Sequence, residues 1–558
     1  MRLYIASIVL LALMVRIWGI SEYSFNPDEM QFLIIAQGNG LLDIWQRGLS
    51  ELHPPLFHFV HHYQLMISDN VFIQRLFSVL YGMIALLGFY RLGLIFKDKY
   101  FAAILLLFAA FSTIAISISI TFRDYGIFLD FLIFALIYWI KYNRNQKNTD
   151  LAIFALLMFL ACASNFSGFL IAAACGITQG LSLLRRKNWK NLIIFSSVFL
   201  PILTLGILFY FNFIAVGTVG YEWKKRLLDS SHIATDISGK ANRVFMGIAT
   251  FLWLGMDIID LKYIADHQWL PGLIMGSSFV VFAMYIKGLN IIRRQEDSLF
   301  YLIIAVWIIA IIAQFADLYP IVGTRHGTHL VIFFLLPFAY LLREYIGKIG
   351  KIFLLLPIAA SFYVAIFIWG DVGLKISDEF AIKRQDFEQA QSRLNAEIKP
   401  GDLIISGGYN GYAYLLYDKD RGKTSYADYQ SVPYINDSII LAPYDSVLLP
   451  YDKILENFYK LLSSNSSQNG ANNFWFVVYG WKNSEIFGLF NCPTTHEEIE
   501  NIYSEPGVLI FSVKQSVIAK LVQDKDAFAK CYVNHRPIIV TAKFGKVNYS
   551  ISPFYLIK

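Results

Sequence analysis

The sequence has few charged residues, and this excludes an ordinary water-soluble protein. Only 16% of its 558 residues are Asp, Glu, Lys or Arg, whereas 56% are hydrophobic. Soluble domains carry about 25% charged residues, so most of this chain cannot face water. No Lys/Arg-rich tract of the kind that binds nucleic acid is present, and the net charge of +6 reports topology rather than a polyanionic partner.

Cysteine is also scarce, and the four cysteines have no zinc-type spacing. Cys162 and Cys175 lie in apolar runs and are expected to be packing residues. Cys492 and Cys531 lie towards the C-terminus, where a disulfide and two free thiols are both compatible with the sequence. Low-complexity tracts and internal repeats are absent as well, which argues against a solenoid or a largely disordered chain.

Long apolar runs are what the sequence has in abundance, and they predict a polytopic α-helical membrane protein. The first run, 3–20, contains Arg16 and is not followed by a small-residue cleavage site, so we expect an uncleaved helix. About ten further runs, most of them long enough for a bilayer of roughly 30 Å, bring the expected total to about eleven spanning helices. These runs are 71–96, 100–120, 125–140, 151–164, 167–184, 191–213, 271–289, 298–316, 328–343 and 352–370.

The short loops predict the orientation of the spans in a plasma or bacterial inner membrane. Basic loops alternate along the chain and are assigned to the cytoplasm by the positive-inside rule. They are Lys97–Lys99, Lys141–Lys147, Arg185–Lys190, Arg293–Arg294 and Arg343–Lys351. The segments 21–70, 121–124, 214–270 and 317–327 then lie outside, together with the C-terminal part.

The composition changes near residue 371, which predicts two domains. Residues 1–370 form the expected transmembrane domain, and residues 371–558 form an expected extracytoplasmic α/β domain. A strand is predicted after Pro400-Gly401, and the runs 474–480 and 507–513 have the pattern of buried strands.

Two adjacent carboxylates, Asp28 and Glu29, begin the first outside loop. Such a pair can supply a general base and a second group that positions a hydroxyl or a metal. The same NPDE sequence at 26–29 is also typical of a plain helix start, with Asn as the cap, Pro in the first position and Glu in the third. On spacing alone the helix start is the simpler interpretation.

The sequence HPPLFHFVHH at 53–62 is the second candidate. The two prolines start a helix, and His58, His61 and His62 then have the spacing of metal ligands. Histidines of an interfacial helix more often make polar contacts, which we favour over zinc. His53 precedes the prolines in a fixed turn on the same side as the carboxylates.

Cationic residues at predicted outer ends of spans complete the set of candidates. Arg75 begins the second span, Arg123 and Tyr125 lie at the mouth of the fourth, and Arg325-His326 precede a late span. Each arginine alone could simply reach the lipid headgroups. Three arginines on one side favour a phosphate pocket, because the planar guanidinium matches phosphate oxygens.

The order of these features resembles the polyprenyl-phosphate-sugar glycosyltransferases of the GT-C type, which include protein O-mannosyltransferases and aminoarabinose transferases of lipid A. The resemblance covers about the first 345 residues, and the C-terminal part is similar only in its KPGDLIIS strand entry. The matching positions are Arg16, Asp28-Glu29, HPPL at 53–56, RLFSVLYG with Arg75, Ser78 and Gly82, YRLGLIF at 90–96, Arg123 with Tyr125, and Arg325.

This resemblance implies an enzyme that transfers a sugar, with inversion, from a polyprenyl phosphate to an acceptor hydroxyl on the outer face. Asp28 would take the hydroxyl proton. Glu29 would position the acceptor or a divalent metal, and both roles are left open. The donor-binding residues would be His53, Arg75, Arg123, Tyr125, Arg325 and His326. The expected partners are the lipid-linked sugar, membrane lipids and an acceptor lipid, glycan or protein.

Two other classes are compatible with a multi-span chain. A transporter or lipid flippase should show paired Gly/Pro-broken helices in corresponding halves, which the sequence lacks. A non-catalytic membrane scaffold would need neither Asp28 nor Glu29. Release of polyprenyl phosphate from a lipid-linked sugar separates the transferase from both.

The predicted topology can be tested with one introduced cysteine. In a Ser466→Cys protein whose Cys492 and Cys531 are replaced by Ser, a membrane-impermeant maleimide should label intact cells, because the whole of 371–558 is expected outside. A second cysteine variant in the same background, Asp98→Cys, should be labelled only after the membrane is opened. The reverse pattern would contradict the topology and the outer-face site with it.

Overall fold

The computed structural model describes the transmembrane region in most of its length. Its description runs from residue 1 to 349 with gaps at 19, 21–24, 26, 39, 49–52, 69, 210–269, 317 and 320–326, the largest of which holds only isolated described positions. Beyond 349 it covers eight strands. The predicted span 352–370 and the predicted site residues Arg325 and His326 lie outside the described residues.

The described part of the transmembrane region is helical throughout. Its helices are α1 Arg2–Ile17, α2 Pro27–Ala36, α3 Leu41–Gly48, α4 Leu56–Ile67, α5 Val71–Phe96, α6 Lys99–Phe111, α7 Thr113–Ile120, α8 Tyr125–Asn145, α9 Asn148–Ser164, α10 Ser167–Arg185, α11 Trp189–Phe209, α12 Leu270–Gln295, α13 Asp297–Phe315 and α14 Thr328–Ile349.

Hydropathy located these helices well. Every predicted span except 352–370 coincides with a helix or a helix pair. Six helices are long and apolar enough to cross a membrane, namely α5, α8, α10, α11, α13 and α14. The bent pair α6 and α7 would add a seventh within the described residues. The structure therefore shows a multi-span helical protein, and the total of eleven spans stays a prediction.

The first compact unit, Met1–Ile20 with Ile44–Ser377, is built on close contacts between apolar helices. α5 packs against α6 and α8, and α12 packs against α14. At the α5–α6 contact Gly93 faces the backbone of Ala102, and a Cβ on Gly93 would lie only 3.0 Å from the Ala102 Cβ. Small residues permit such approach where lipid supplies no hydrophobic driving force between helices.

Ion pairs join the loops at one end of this unit. Arg144, at the end of α8, donates to Glu296 and to the Ile95 carbonyl at 2.7 Å each. Arg343 of α14 donates to both oxygens of Asp98, which also caps the start of α6. The four charged residues of these ion pairs belong to or adjoin loops that the positive-inside rule places in the cytoplasm. Their contacts agree with a common side for those loops.

The span predicted at 100–120 is broken. α6 ends at Phe111, α7 begins at Thr113, and the two axes differ by 60°. Ser112 caps α7 through the amide of Ala115, while Arg16 donates to the Ala110 carbonyl at 2.9 Å. A helix end must find partners outside the helix for its last carbonyls, and a cation there is also favoured by the helix dipole.

The second compact unit comprises Ser21–Asp43 and Asp378–Lys558. Beyond residue 400 its described strands are β1 Leu403–Gly407, β2 Tyr434–Asn436, β3 Ile439–Ala442, β4 Asn473–Tyr479, β5 Ile499–Glu505, β6 Val508–Lys514, β7 Val540–Phe544 and β8 Val547–Ile551. The strands β1, β4 and β6 are those predicted from the sequence.

Six of these strands form one mixed sheet, in the order β2-β3-β1-β4-β6-β5. β1 pairs in parallel with β3 and β4, so that Ile404 lies between Ile439 and Trp475. β6 pairs antiparallel with β4 and β5, and β7 with β8 forms a separate hairpin. Parallel neighbours need a crossover connection, which is consistent with the expected α/β organisation.

Candidate functional site

A polar cluster lies where the turn between α7 and α8 meets the start of α4. His53 precedes the two prolines that begin α4, and Arg123-Asp124 occupy the turn. The His53 Nδ1 is 3.3 Å from Asp124 Oδ2, and Arg123 Nη2 is 3.3 Å from His53 Nε2. Residues 70 positions apart in sequence are thus brought together by the fold of the first unit.

The direction of these hydrogen bonds fixes the state of the imidazole. Arg123 can only donate, so the His53 Nε2 must accept. The proton of the neutral ring then lies on Nδ1 and is donated to Asp124. This assignment follows from donor and acceptor chemistry, as tautomer assignments generally do.

Asp124 is held from the other side by Asn165, in the turn between α9 and α10. The Asn165 amide donates to Asp124 Oδ2 at 2.7 Å. Its own carbonyl oxygen accepts from the Ser167 amide at 2.9 Å and from the Ser167 hydroxyl at 2.7 Å. A continuous chain therefore runs from the start of α10 through Asp124 and His53 to Arg123.

This chain explains how Asp124 keeps its charge although its side chain is fully buried. Burial alone raises the pKa of Asp124, but the hydrogen bond from His53, the charge of Arg123 and the hydrogen bond from Asn165 outweigh burial, and the net pKa is lowered. A buried carboxylate is stable only when paired and hydrogen-bonded in this manner.

Tyr125 and Arg75 occupy defined places in the same unit. The Arg123 guanidinium carbon lies 5.6 Å from the centre of the Tyr125 ring, a cation–π contact. Arg75 donates to the Ile20 carbonyl at 2.7 Å, just beyond α1. Arg75 and Arg123 are 6% and 5% exposed, so neither is a headgroup anchor on the lipid-facing surface. The predicted convergence of three arginines stays a prediction because Arg325 is outside the described residues.

The acidic pair lies where a helix begins. α2 starts at Pro27, as the capping interpretation of NPDE predicts, so both carboxylates are in the first turn of a helix. Glu29 is fully buried, while the side chain of Asp28 is outside the described residues. Both belong to the second compact unit, whereas His53, Arg123 and Asp124 belong to the first.

The histidines of α4 differ in how far they are buried. His58 and His61 are fully buried, together with Gln64, while His62 is only half-buried. No group of three His, Cys, Asp or Glu side chains is placed to hold a metal ion in the part of the chain that the structure describes. The apolar residues Met66 and Ile67 of the same helix are 67% and 69% exposed, so α4 turns its polar face inwards.

Sequence reasoning missed Asp124 and Asn165 as site residues. Asp124 directly follows the predicted Arg123 in TFRDYG, and that adjacency was the available signal. Asn165 lies in the SNFSG sequence at 164–168, between α9 and α10. Only the fold shows that Asn165 contacts Asp124, which in turn contacts His53.

The cluster has the chemistry of an anion site with a fixed imidazole. Arg123 supplies a positive charge. Tyr125 and His53 hold the Arg123 guanidinium in one orientation, and Asp124 holds the His53 ring. An oxyanion that displaced the Arg123–His53 contact would gain a charge-assisted hydrogen bond. It would also leave the His53 Nε2 lone pair free.

The fold of this chain is similar to that of a solved membrane-protein structure. The crystal structure of ArnT from Cupriavidus metallidurans bound to undecaprenyl phosphate matches with a TM-score of 0.52 at 11% identity, covering 91% of this chain and 98% of that one. The archaeal oligosaccharyltransferase AglB from Archaeoglobus fulgidus, in complex with an inhibitory peptide and a dolichol-phosphate, matches with a TM-score of 0.45 at 12% identity, covering 85% and 69%.

The fold assignment rests on the ArnT match, since the TM-score with AglB is below 0.5. No protein-family model matches the sequence, and no curated protein matches it. At such low identity the likeness concerns the fold alone.

The buried histidines of α4 predict acid sensitivity of the fold. Burial lowers the pKa of His58 to about 3 and holds that of His61 well below 6.5. The unfolded chain therefore binds more protons than the folded one below pH 6.5, and stability falls as the pH falls from 6.5 towards 3. For His58 the loss at pH 5 should be about 2 kcal/mol.

The measurement is the apparent Tm of the purified protein between pH 5 and pH 8. The His58→Gln variant should lose less stability on acidification than the wild type. Tyr63→Phe, on the exposed side of the same helix, should keep the wild-type slope. Equal slopes for His58→Gln and the wild type would contradict a buried neutral His58.

Proposed function

We propose that this protein is an inverting glycosyltransferase that uses a polyprenyl-phosphate sugar on the outer face of the membrane. The observation that carries the proposal is the buried Arg123–His53–Asp124 cluster inside a GT-C fold. Such a fold alone would not define an activity. An anion site at predicted membrane-surface depth supplies the chemistry that a lipid-phosphate donor requires.

The reaction forms one C–O bond and breaks another. The acceptor hydroxyl oxygen attacks the anomeric carbon, and its proton passes to the carboxylate of Asp28. The bond between the anomeric carbon and the phosphate oxygen breaks, and polyprenyl phosphate leaves with the electron pair. Attack from the face opposite the phosphate inverts the configuration. Glu29 orients the acceptor or holds a divalent metal.

The cations stabilise the phosphate as its negative charge grows. A guanidinium whose direction is already fixed needs little reorganisation in the transition state, and preorganised charges of this kind contribute most of the rate enhancement in many enzymes. Arg123 is fixed by Tyr125 and His53. Arg75, Arg325 and His326 are proposed to complete the donor site.

A lipid-phosphate donor is also consistent with what was bound in the similar structure, since ArnT was crystallised with undecaprenyl phosphate. A long polyprenyl tail needs a lipid-facing entrance, which a multi-span protein provides. The acceptor is proposed to be a hydroxyl of a lipid, glycan or protein.

The proposal is tested by incubating the purified protein with polyprenyl-phosphate sugars and an extract of envelope acceptors. Release of polyprenyl phosphate with formation of a glycosylated product supports a transferase. Movement of the intact donor across a vesicle membrane without release would instead identify a flippase.

Asp28→Asn tests the catalytic base. Asn has the same size and can still cap a helix, so the protein should remain folded. Loss of the proton acceptor should lower turnover about 10²–10⁴-fold. Turnover is measured as polyprenyl phosphate released per monodisperse protein in detergent.

Glu29→Gln should lower turnover less than Asp28→Asn does, because Glu29 is proposed to position a reactant and not to accept the hydroxyl proton. The control is Asp43→Asn, a carboxylate in the first turn of α3, which should retain wild-type turnover. If Asp28→Asn were as active as the wild type, Asp28 would only begin a helix, and His53 would be the next candidate base.

Asp124→Asn tests whether the negative charge of Asp124, which is hydrogen-bonded to His53, contributes to turnover. Asparagine keeps an acceptor for His53 but removes the negative charge that balances Arg123, so turnover should fall about tenfold or more, equal to about 1.4 kcal/mol. The comparison variant Asn165→Ala removes one hydrogen bond to Asp124 but leaves its negative charge in place.

Asn165→Ala should lower the Tm but lose less turnover than Asp124→Asn, because the charge that balances Arg123 remains. Equal losses of turnover in the two variants would show that Asp124 acts through its hydrogen bonds and not through its charge. The split between KM for the donor and kcat locates the defect, which should appear mainly in kcat because charge balance matters most when the phosphate leaves.

A further inference from the structure

Arg16 and Gly82 belong to the sequence pattern discussed above, yet the proposed reaction uses neither. Arg16 lies near the end of α1 and is fully buried. One of its nitrogens, Nη1, donates to the carbonyls of Ala12 at 3.1 Å and Ala110 at 2.9 Å. Its Nε and Nη2 have no hydrogen-bond partner among the residues that the structure describes.

A small cavity adjoins this unsatisfied guanidinium. Its volume is about 10 Å³, and it is lined by Arg16, by Gly82 of α5 and Ser119 of α7, and otherwise by Gly126 and apolar side chains of α5, α7 and α8. A cavity needs roughly 10–15 Å³ to hold one water molecule. The space therefore matches a single water and is too small for a sugar or a phosphate.

Gly82 keeps this space open. A Cβ on Gly82 would collide with the Ser119 hydroxyl and would lie 3.4 Å from Arg16 Nε. Both atoms are thus close to one point, within the reach of a water that makes hydrogen bonds of about 2.8 Å to each. Any side chain at position 82 would occupy the place where Arg16 and Ser119 approach each other.

The hydrogen-bonding state of the Ser119 hydroxyl favours a water over an anion in this cavity. The Ser119 hydroxyl donates its hydrogen to the Ala115 carbonyl, so it presents lone pairs to its other neighbours. Lone pairs accept a hydrogen from water but repel a halide. A water can accept from Arg16 and donate to Ser119, which gives it the two to four polar partners that buried waters have.

We propose that this cavity is a built site for one buried water molecule, held by Arg16 Nε or Nη2 and by Ser119 Oγ. The water supplies the hydrogen bonds that the protein itself does not give the Arg16 guanidinium. It thereby joins α1 to α7 beside the break at Ser112, where Arg16 Nη1 already holds the end of α6. The site is independent of the sugar transfer and would be present in a protein without that activity.

The direct test is a structure of the full chain at a resolution where other buried waters are visible, from chloride-free buffer and from bromide buffer. A single peak within 2.7–3.2 Å of Arg16 and of Ser119 Oγ, without halide, is the expected result. An empty cavity beside resolved waters elsewhere would overturn the proposal. So would an anomalous bromide signal at the cavity, which would identify an anion site.

A variant tests the role of Ser119. Ser119→Ala removes the acceptor but leaves Arg16 and the cavity, so the water peak should be lost and the apparent Tm lowered by about 1–3 °C. The hydrogen bond from Ser119 to Ala115 is of a kind that adds little to helix stability, so its loss does not mimic this effect. Ser117→Ala, on the same helix, is the matched control and should leave the Tm unchanged. An unchanged peak and Tm in Ser119→Ala would contradict the assignment.

Discussion

The buried carboxylate of Asp124 is the interaction on which the candidate site depends. It accepts from His53 and from Asn165 at the same oxygen, and it thereby ties the start of α4 and the α9–α10 turn to the turn between α7 and α8. Without its negative charge, Arg123 would be a buried cation beside a neutral ring, which is an expensive arrangement. With the Asp124 charge present, the Arg123 guanidinium is held in one orientation. Any ligand phosphate would meet a site whose geometry is already set.

Several arginines in the membrane part of this protein donate hydrogen bonds to backbone carbonyls. Arg16 bonds the carbonyl left free at the end of α6, Arg75 bonds the Ile20 carbonyl beyond α1, and Arg144 bonds the Ile95 carbonyl. Each cation thus satisfies a carbonyl near a helix end, in agreement with the helix dipole and with the cost of an unpaired polar group in hydrocarbon. The broken span at Ser112 is stabilised by this means.

The sequence predicted the elements better than their contacts. Hydropathy located the helices because burial in lipid demands long apolar runs, and strand patterns located β1, β4 and β6. Arg123 and His53 were both singled out from the sequence, and the structure places them in contact, while their role stays a prediction. Asp124 and Asn165 were missed because their role depends on turns 41 residues apart. The burial of His58 and His61 was not predicted, because the spacing of histidines along a helix does not show which face packs against the protein.

The central claim is that Arg123, fixed by His53 and Asp124, holds the phosphate of a polyprenyl phosphate. Calorimetric titration of the purified protein with a short-chain polyprenyl phosphate, and with the matching polyprenol, tests it most directly. The account predicts binding of the phosphate, no measurable binding of the alcohol, and at least tenfold weaker binding of the phosphate by Arg123→Gln. Equal affinity for both lipids, or full affinity in Arg123→Gln, would contradict it.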